Sequence, residues 1–237
     1  MAKHDFVLAR QRTRQFLQDT GNIHHMFYGP TSDEYWSAPL RILAVNMEPY
    51  GYEDCGHTEV DLQQLLDWID VAKTPRRTFG IIRTLVNAFS DGILPTYEHL
   101  QMSCSDRTGL EAMARQSVYY NIRPTSNPNK EQDAAGIIAS GSNTTAQFIR
   151  NEMMALEPHI IFVSGHAGLA AFNAMWQLDP KLRFLKSRWH SKTLLLQSIR
   201  HPSRAKYEEC ASCIVDVVRE LKATANSSSP AIPRPAA

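Results

Sequence analysis

The chain has 237 residues, 43% hydrophobic and 21% charged, which is the composition of a globular protein able to bury its own core. Lys and Arg (25) balance Asp and Glu (24), so a net charge of +1 excludes global attraction to nucleic acid, and any polyanion must be met by a local basic patch. No apolar run approaches the roughly 20 residues of a membrane span, the start MAKHDFVLARQRTRQF is too charged for a signal peptide, and the four cysteines read as reduced thiols. The expectation is a cytoplasmic monomer with no membrane partner.

In chain order, residues 6–18 space Phe6, Leu8, Phe16 and Leu17 at helical intervals and stop at Thr20-Gly21. Residues 40–45 (LRILAV) form a short apolar run that breaks into Asn-Met-Glu-Pro-Tyr-Gly, the pattern of a buried strand entering a loop. Helical spacing returns over 60–71, 79–89 and 110–115, followed by a strand over 117–120 that ends at Asn121. A polar loop to about 142 leads to a helix over 144–156, a strand over 159–164 (HIIFVS) and a helix over 166–176. A fourth strand, 193–198 (TLLLQS), runs into Arg200-His201-Pro202-Ser203, and an amphipathic helix over 205–221 closes the fold.

Apolar strands alternating with helices predict an α/β fold, a three-layer α/β/α sandwich around a central, mainly parallel four-stranded sheet. Residues 1–222 read as a single domain and 223–237, rich in Ser, Pro and Ala, as a disordered tail. Ligands of such sheets bind at the carboxyl ends of strands. Those ends carry Glu48, Asn121 and His201, a carboxylate, an amide and an imidazole able to converge on one pocket.

Four segments in order resemble the uracil-DNA glycosylase superfamily: LAVNMEPYG (43–51), LEAMARQSVYYNIRPTS (110–126), IIFVSGHAG (160–168) and IRHPSRAKYEE (199–209). The first is similar to that family's water-activating loop, the second to its base-reading strand, the third to a strand and helix start, and the fourth to its HPS loop. By this resemblance Glu48 orients water and His201 stabilises the departing base. Asn121 reads the base edge, Tyr50 walls the pocket, and Phe79 falls near a base-stacking position, with a core role equally compatible. Ser203, Arg204 and Lys206, flanked by Arg200, contact DNA. The resemblance implies a monofunctional glycosylase that flips a pyrimidine out of DNA and hydrolyses its N-glycosidic bond.

The carried-over chemistry is consistent with these residue types. A carboxylate stabilises the oxocarbenium-like sugar and orients water, and a donor at the base stabilises the leaving anion. No Lys occupies the nucleophile position, which argues against a lyase step. Glu48 replaces the usual Asp and is one methylene longer, while Gly51 replaces a His and enlarges the pocket, so a base substituted at C5, including a hypermodified viral pyrimidine, becomes an expected substrate beside uracil. An inactive nucleic-acid binder of the same fold and an enzyme acting on free nucleosides are the alternatives. Cys210-x-x-Cys213, with Cys55 and Cys104, makes four potential soft ligands, but Cys210 and Cys213 sit inside the last amphipathic helix and read as small core residues, so neither a metal nor a cofactor is expected.

Overall fold

The computed structural model describes residues 6–19, 25–27, 29–46, 57–59, 61–121, 144–176, 188–189, 193–197 and 205–227. The first elements are α1 (Phe6–Asp19), β1 (His25–Phe27), α2 (Glu34–Ser37), β2 (Ile42–Asn46) and β3 (His57–Glu59). Four helices follow, α3 (Leu62–Val71), α4 (Lys73–Asp91), α5 (Tyr97–Ser105) and α6 (Arg107–Gln116), leading into β4 (Ser117–Asn121). The chain continues through α7 (Thr144–Ala155), β5 (Ile160–Val163), α8 (Gly165–Trp176), β6 (Arg188–Trp189), β7 (Thr193–Gln197) and α9 (Tyr207–Ser227).

The main sheet has the order β4-β2-β5-β7-β6. Its first four strands are mutually parallel and β6 pairs antiparallel with β7, so the expected four-stranded sheet gains a fifth, two-residue edge strand. A run as short as Arg188-Trp189 carries no period of its own, which is why it escapes pattern reading. Equally short β1 and β3 form a separate parallel pair.

Alternate residues of the central strands separate into two cores. Ile42, Ala44, Tyr119, Ile160 and Phe162 pack beneath α3, α4, α6 and α9. Leu43, Val45, Val118, Tyr120, Ile161 and Val163 pack with α2, α7 and α8. Both faces of the sheet are therefore covered, as continuous apolar strands require.

Local chemistry sets the helix ends. Asp61 and Gln64 close a capping box on α3, and Thr96 and His99 close one on α5, a helix the periodicity does not predict. The Asp106 side chain caps α6. Helix α4 starts six residues before the expected position, because Pro75 lies in its first turn, where a missing N–H breaks no helical bond. Helix α9 runs through Ser227, so residues 223–227 continue the helix instead of opening the tail; Ala-Thr-Ala-Asn-Ser contains no helix breaker, and 228–237 lie outside the described residues.

Helices α4 and α5 touch at Gly80, where an added Cβ would meet the Cys104 side chain and lie 3.0 Å from its Cα and 3.1 Å from its N. Gly80→Ala is expected to destabilise the fold by about 1–3 kcal/mol despite alanine's helix propensity, since backbone must move. Gly109→Ala meets only the flexible end of Arg83 and should cost less. Urea midpoints of the two variants check this; equal midpoints would mean that α4 and α5 have room to separate.

Candidate functional site

The parallel register brings the carboxyl ends of β2, β4 and β5 to one level. Asn46 pairs with Asn121 in the ladder, and the step after Val45–Val163 brings Asn46 level with Ser164. The Ser164 N–H donates to the Val45 carbonyl at 2.9 Å, extending the ladder beyond β5. Three polar residues thus end strands that are otherwise apolar. Strand β2 is followed in sequence by β4 on one side, whereas β5 is followed by β7 on the other, so the β2–β5 boundary is the topological switch point of the sheet.

Asn46 is 4% exposed and Ser164 2% exposed. Neither the Asn46 Nδ2 and Oδ1 nor the Ser164 Oγ has a hydrogen-bond partner among the described residues. The strand alternation carries both side chains toward the first core, one layer above Ala44 and Phe162. Directly after Ser164, Gly165 takes φ +73°, a left-handed turn that suits glycine and lets the chain leave β5 straight into α8.

Of the residues expected from the sequence, Glu48, Tyr50, Gly51, Arg200, His201, Ser203 and Arg204 lie outside the described residues. The segments that carry them leave from defined points: 47–51 follow Asn46, and 198–204 lie between Gln197 and Ala205. Asn121 is the last residue of β4, on the central-sheet edge as expected. Lys206 is exposed at the entrance to α9.

Phe79 takes the core role. It is fully buried in α4, its ring tilted 33° against Tyr119 with centroids 5.9 Å apart. A ring with no exposed face offers no platform for a flipped base, so stacking is withdrawn from it; it supports β4 two residues before Asn121.

Two further features were not legible as functional in the sequence. Arg77 donates from Nη1 to the Ala205 carbonyl at 2.8 Å, and its guanidinium lies 4.3 Å from the Tyr207 ring centroid. The same helix therefore braces β4 through Phe79 and the chain entering α9 through Arg77. The first turns of α4 also carry Lys73, Arg76 and Arg77 with no acidic residue; Arg76 folds back to donate from Nε to the Ile69 carbonyl at 2.9 Å and from Nη2 to the Asp70 carbonyl, satisfying the end of α3.

The thiols are muted. Burial pushes Cys210 up to about 12, with Cys213 adding to it. Burial also raises Cys104, against the opposing Tyr207 hydroxyl and the arginines Arg77 and Arg76. Cys213 is raised by burial and then by Asp216 and Glu209. Among the described residues, no group of three or more His, Cys, Asp or Glu is arranged to hold a metal. A cavity of about 250 Å³ between α4 and α5 includes Arg83, His99 and Asp106. Within its lining Arg83 pairs with Asp106, and the His99 Nδ1 accepts from the Thr96 N–H.

Comparison with known proteins gives no match to a family model, a curated protein or a solved structure. Among the described residues, no helix is long and apolar enough to cross a membrane.

Raised thiol pKa values have a measurable consequence. Cys104, Cys210 and Cys213 should react with a disulfide reagent at pH 8 far more slowly in the native protein than in the unfolded chain, because the thiolate is the nucleophile. Their folded values lie above the unfolded one of roughly 8.5, so their contribution to stability is complete below that pH. It is lost as pH rises toward the Cys210 value of about 12. A urea midpoint that stays level across this alkaline range would contradict the assignment.

Proposed function

We propose that this chain is a monofunctional DNA glycosylase of the uracil-DNA glycosylase superfamily, which flips a pyrimidine out of DNA and hydrolyses its N-glycosidic bond. The observation that carries the reading is the shared sheet edge. The segments holding Glu48 and His201 follow the carboxyl ends of β2 and β7, Asn121 ends β4, and these strands belong to one parallel array. An acid, an amide and an imidazole introduced from one edge have the topology needed to act on one flipped nucleotide.

In this reading Glu48 orients water and faces the developing sugar cation, and His201 stabilises the anionic base as it leaves. Asn121 offers one acceptor and two donors to the base edge. Tyr50 and Gly51 shape the pocket, and Gly51 leaves room for a C5 substituent on the pyrimidine. The DNA backbone is met by Arg200, Ser203, Arg204 and Lys206. Lys73, exposed at the start of the helix that Arg77 ties to Ala205, adds a cation on a chain whose net charge is only +1.

The test is base release from duplexes carrying uracil, thymine mismatches, hypoxanthine and glucosylated hydroxymethylcytosine. Glu48→Gln and His201→Ala should each lower release by about 10²-fold or more while DNA binding persists. Asn121→Ala should abolish excision of every base. Retained activity in all three variants, or no alkali-labile sites with any duplex, would overturn the glycosylase reading.

Binding supplies an independent check. With three or four phosphates neutralised, the log–log salt slope of DNA affinity should be about −3 to −4, and Arg204→Ala with Lys206→Ala should flatten it by about 2. An unchanged slope would remove these cations from the interface.

A further inference from the structure

Apolar side chains exposed singly are ordinary, whereas a cluster of them marks a surface that something covers. Among the described residues, Ile93, Leu94, Tyr97 and Met102 form such a cluster within positions 93 to 102. Ile93 (61% exposed) and Met102 (69%) line the cavity between α4 and α5, together with buried Ala88 and Pro95. Asp91 and Asp106 lie along the same lining, and its one guanidinium, Arg83, is already paired with Asp106. The groove is therefore apolar in the middle and acidic on balance.

Its place in the fold brings one segment of the chain beside it. Arg77, near the start of α4, reaches Ala205 ahead of α9, whereas Gly92, just past the end of α4, adjoins a later turn of α9. A Cβ added at Gly92 would lie 3.3 Å from the Lys222 Nζ. Helix α9 ends at Ser227, five residues or about 7.5 Å beyond Lys222. The sequence then reads SSPAIPRPAA over 228–237, with prolines at 230, 233 and 235 and Arg234 as its single charged side chain.

We propose that residues 228–237 dock along the α4–α5 groove of their own chain, with 230–233 in a polyproline II conformation, Ile232 against Ile93 and Met102, and Arg234 on a groove carboxylate. Lengths agree: the lining of α4 from Arg83 to Asp91 is about 12 Å long, and four residues of polyproline II span about 12 Å. Ten residues of that conformation reach about 31 Å, enough to turn back from Ser227 into the groove. The prolines lower the entropy lost on docking, which lets a short segment bind a shallow apolar surface. Charges agree as well, since Asp91 and Asp106 lie eight and fifteen residues beyond Arg83 and offer Arg234 a carboxylate in either chain direction. The inference is independent of the glycosylase reading, because it uses neither Glu48, Asn121 nor His201.

The experiment follows the methyl resonances of Ile93, Met102 and Ile232 in the full chain. A nuclear Overhauser cross-peak between Ile232 and either Ile93 or Met102 should appear and persist on tenfold dilution. Ile232→Ser, and Pro230→Gly with Pro233→Gly, should each remove that contact and move the Ile93 and Met102 methyls, with the thermal midpoint of the domain changed little. Arg234→Glu should lower the docked-to-free ratio by about two- to fivefold. A synthetic peptide SSPAIPRPAA should bind the Ile232→Ser chain at these same methyls. It should bind the unmodified chain at least about threefold more weakly, because the tethered segment competes at millimolar effective concentration.

Absence of the cross-peak, with Ile93 and Met102 unmoved by every change in 228–237, overturns the proposal. Cross-peaks that vanish on dilution assign the groove to the segment of a second copy and overturn docking within one chain. Equal peptide affinity for the two chains shows the groove unoccupied in the unmodified protein, and overturns it too. Met102→Glu, at an exposed position, supplies the converse variant: it should abolish both the cross-peak and peptide binding, and retention of both would remove the groove from the contact.

Discussion

Everything near the candidate site depends on β2 being hydrogen-bonded in register on both sides. Its five residues pair with β4 on one flank, and four of them pair with β5 on the other. A slip of one residue would exchange the two cores, driving Leu43 and Val45 toward the α4 side and Ile42 and Ala44 away from it. The apolar contacts of both faces therefore hold the strand at one level. That level makes Asn46, Asn121 and Ser164 a row, an alignment enforced by burial far below it.

The same edge shows how conflicting local terms coexist in one fold. Two polar side chains are buried at the strand ends without partners among the described residues, and several cations crowd the positive end of α4. The first is unfavourable for folding alone, whereas two of the cations are held by backbone carbonyls, Arg76 by Ile69 and Asp70 and Arg77 by Ala205. Unpartnered buried polar atoms also occur on Tyr35 and Asn173, in helices α2 and α8, so they are not confined to the strand ends. Both faces of the sheet are packed with apolar residues, and α3 and α5 are capped.

Much of this framework was readable from residue pattern. The four long strands and most helices announce themselves by apolar runs and by spacings of three and four; the strands fall within two residues of the expected bounds, while α4 starts and α9 ends six residues outside them. Elements of two to four residues, such as β6 and α2, are held by tertiary pairing and leave no period to detect. Helix α5 was missed because its capping box uses His99 where Glu or Gln is the usual signal. Phe79 could not be assigned from spacing alone, since a core aromatic and a base platform look identical until burial is known. Asn46 and Ser164 did have a signal: each is the first polar residue ending an apolar run. Only strand register reveals that the two are neighbours.

The first helix has a history built into its contacts. Arg12 in α1 grips the mostly buried carboxylate of Glu152 through Nε at 2.9 Å and Nη2 at 3.2 Å, across 140 residues of sequence. Beside it Phe16 stacks on Phe148 at 3.9 Å. On a ribosome adding about 5–20 residues per second, Glu152 is joined to the chain roughly 7–28 s after Arg12. Helix α1 thus emerges long before its receptor, while the run of helices from α3 to α6 is synthesised as a unit rich in neighbour contacts. The vectorial order of synthesis makes the N-terminal helix a late-docking element, closed onto the molecule only after β2, β4 and the helices between them have been made.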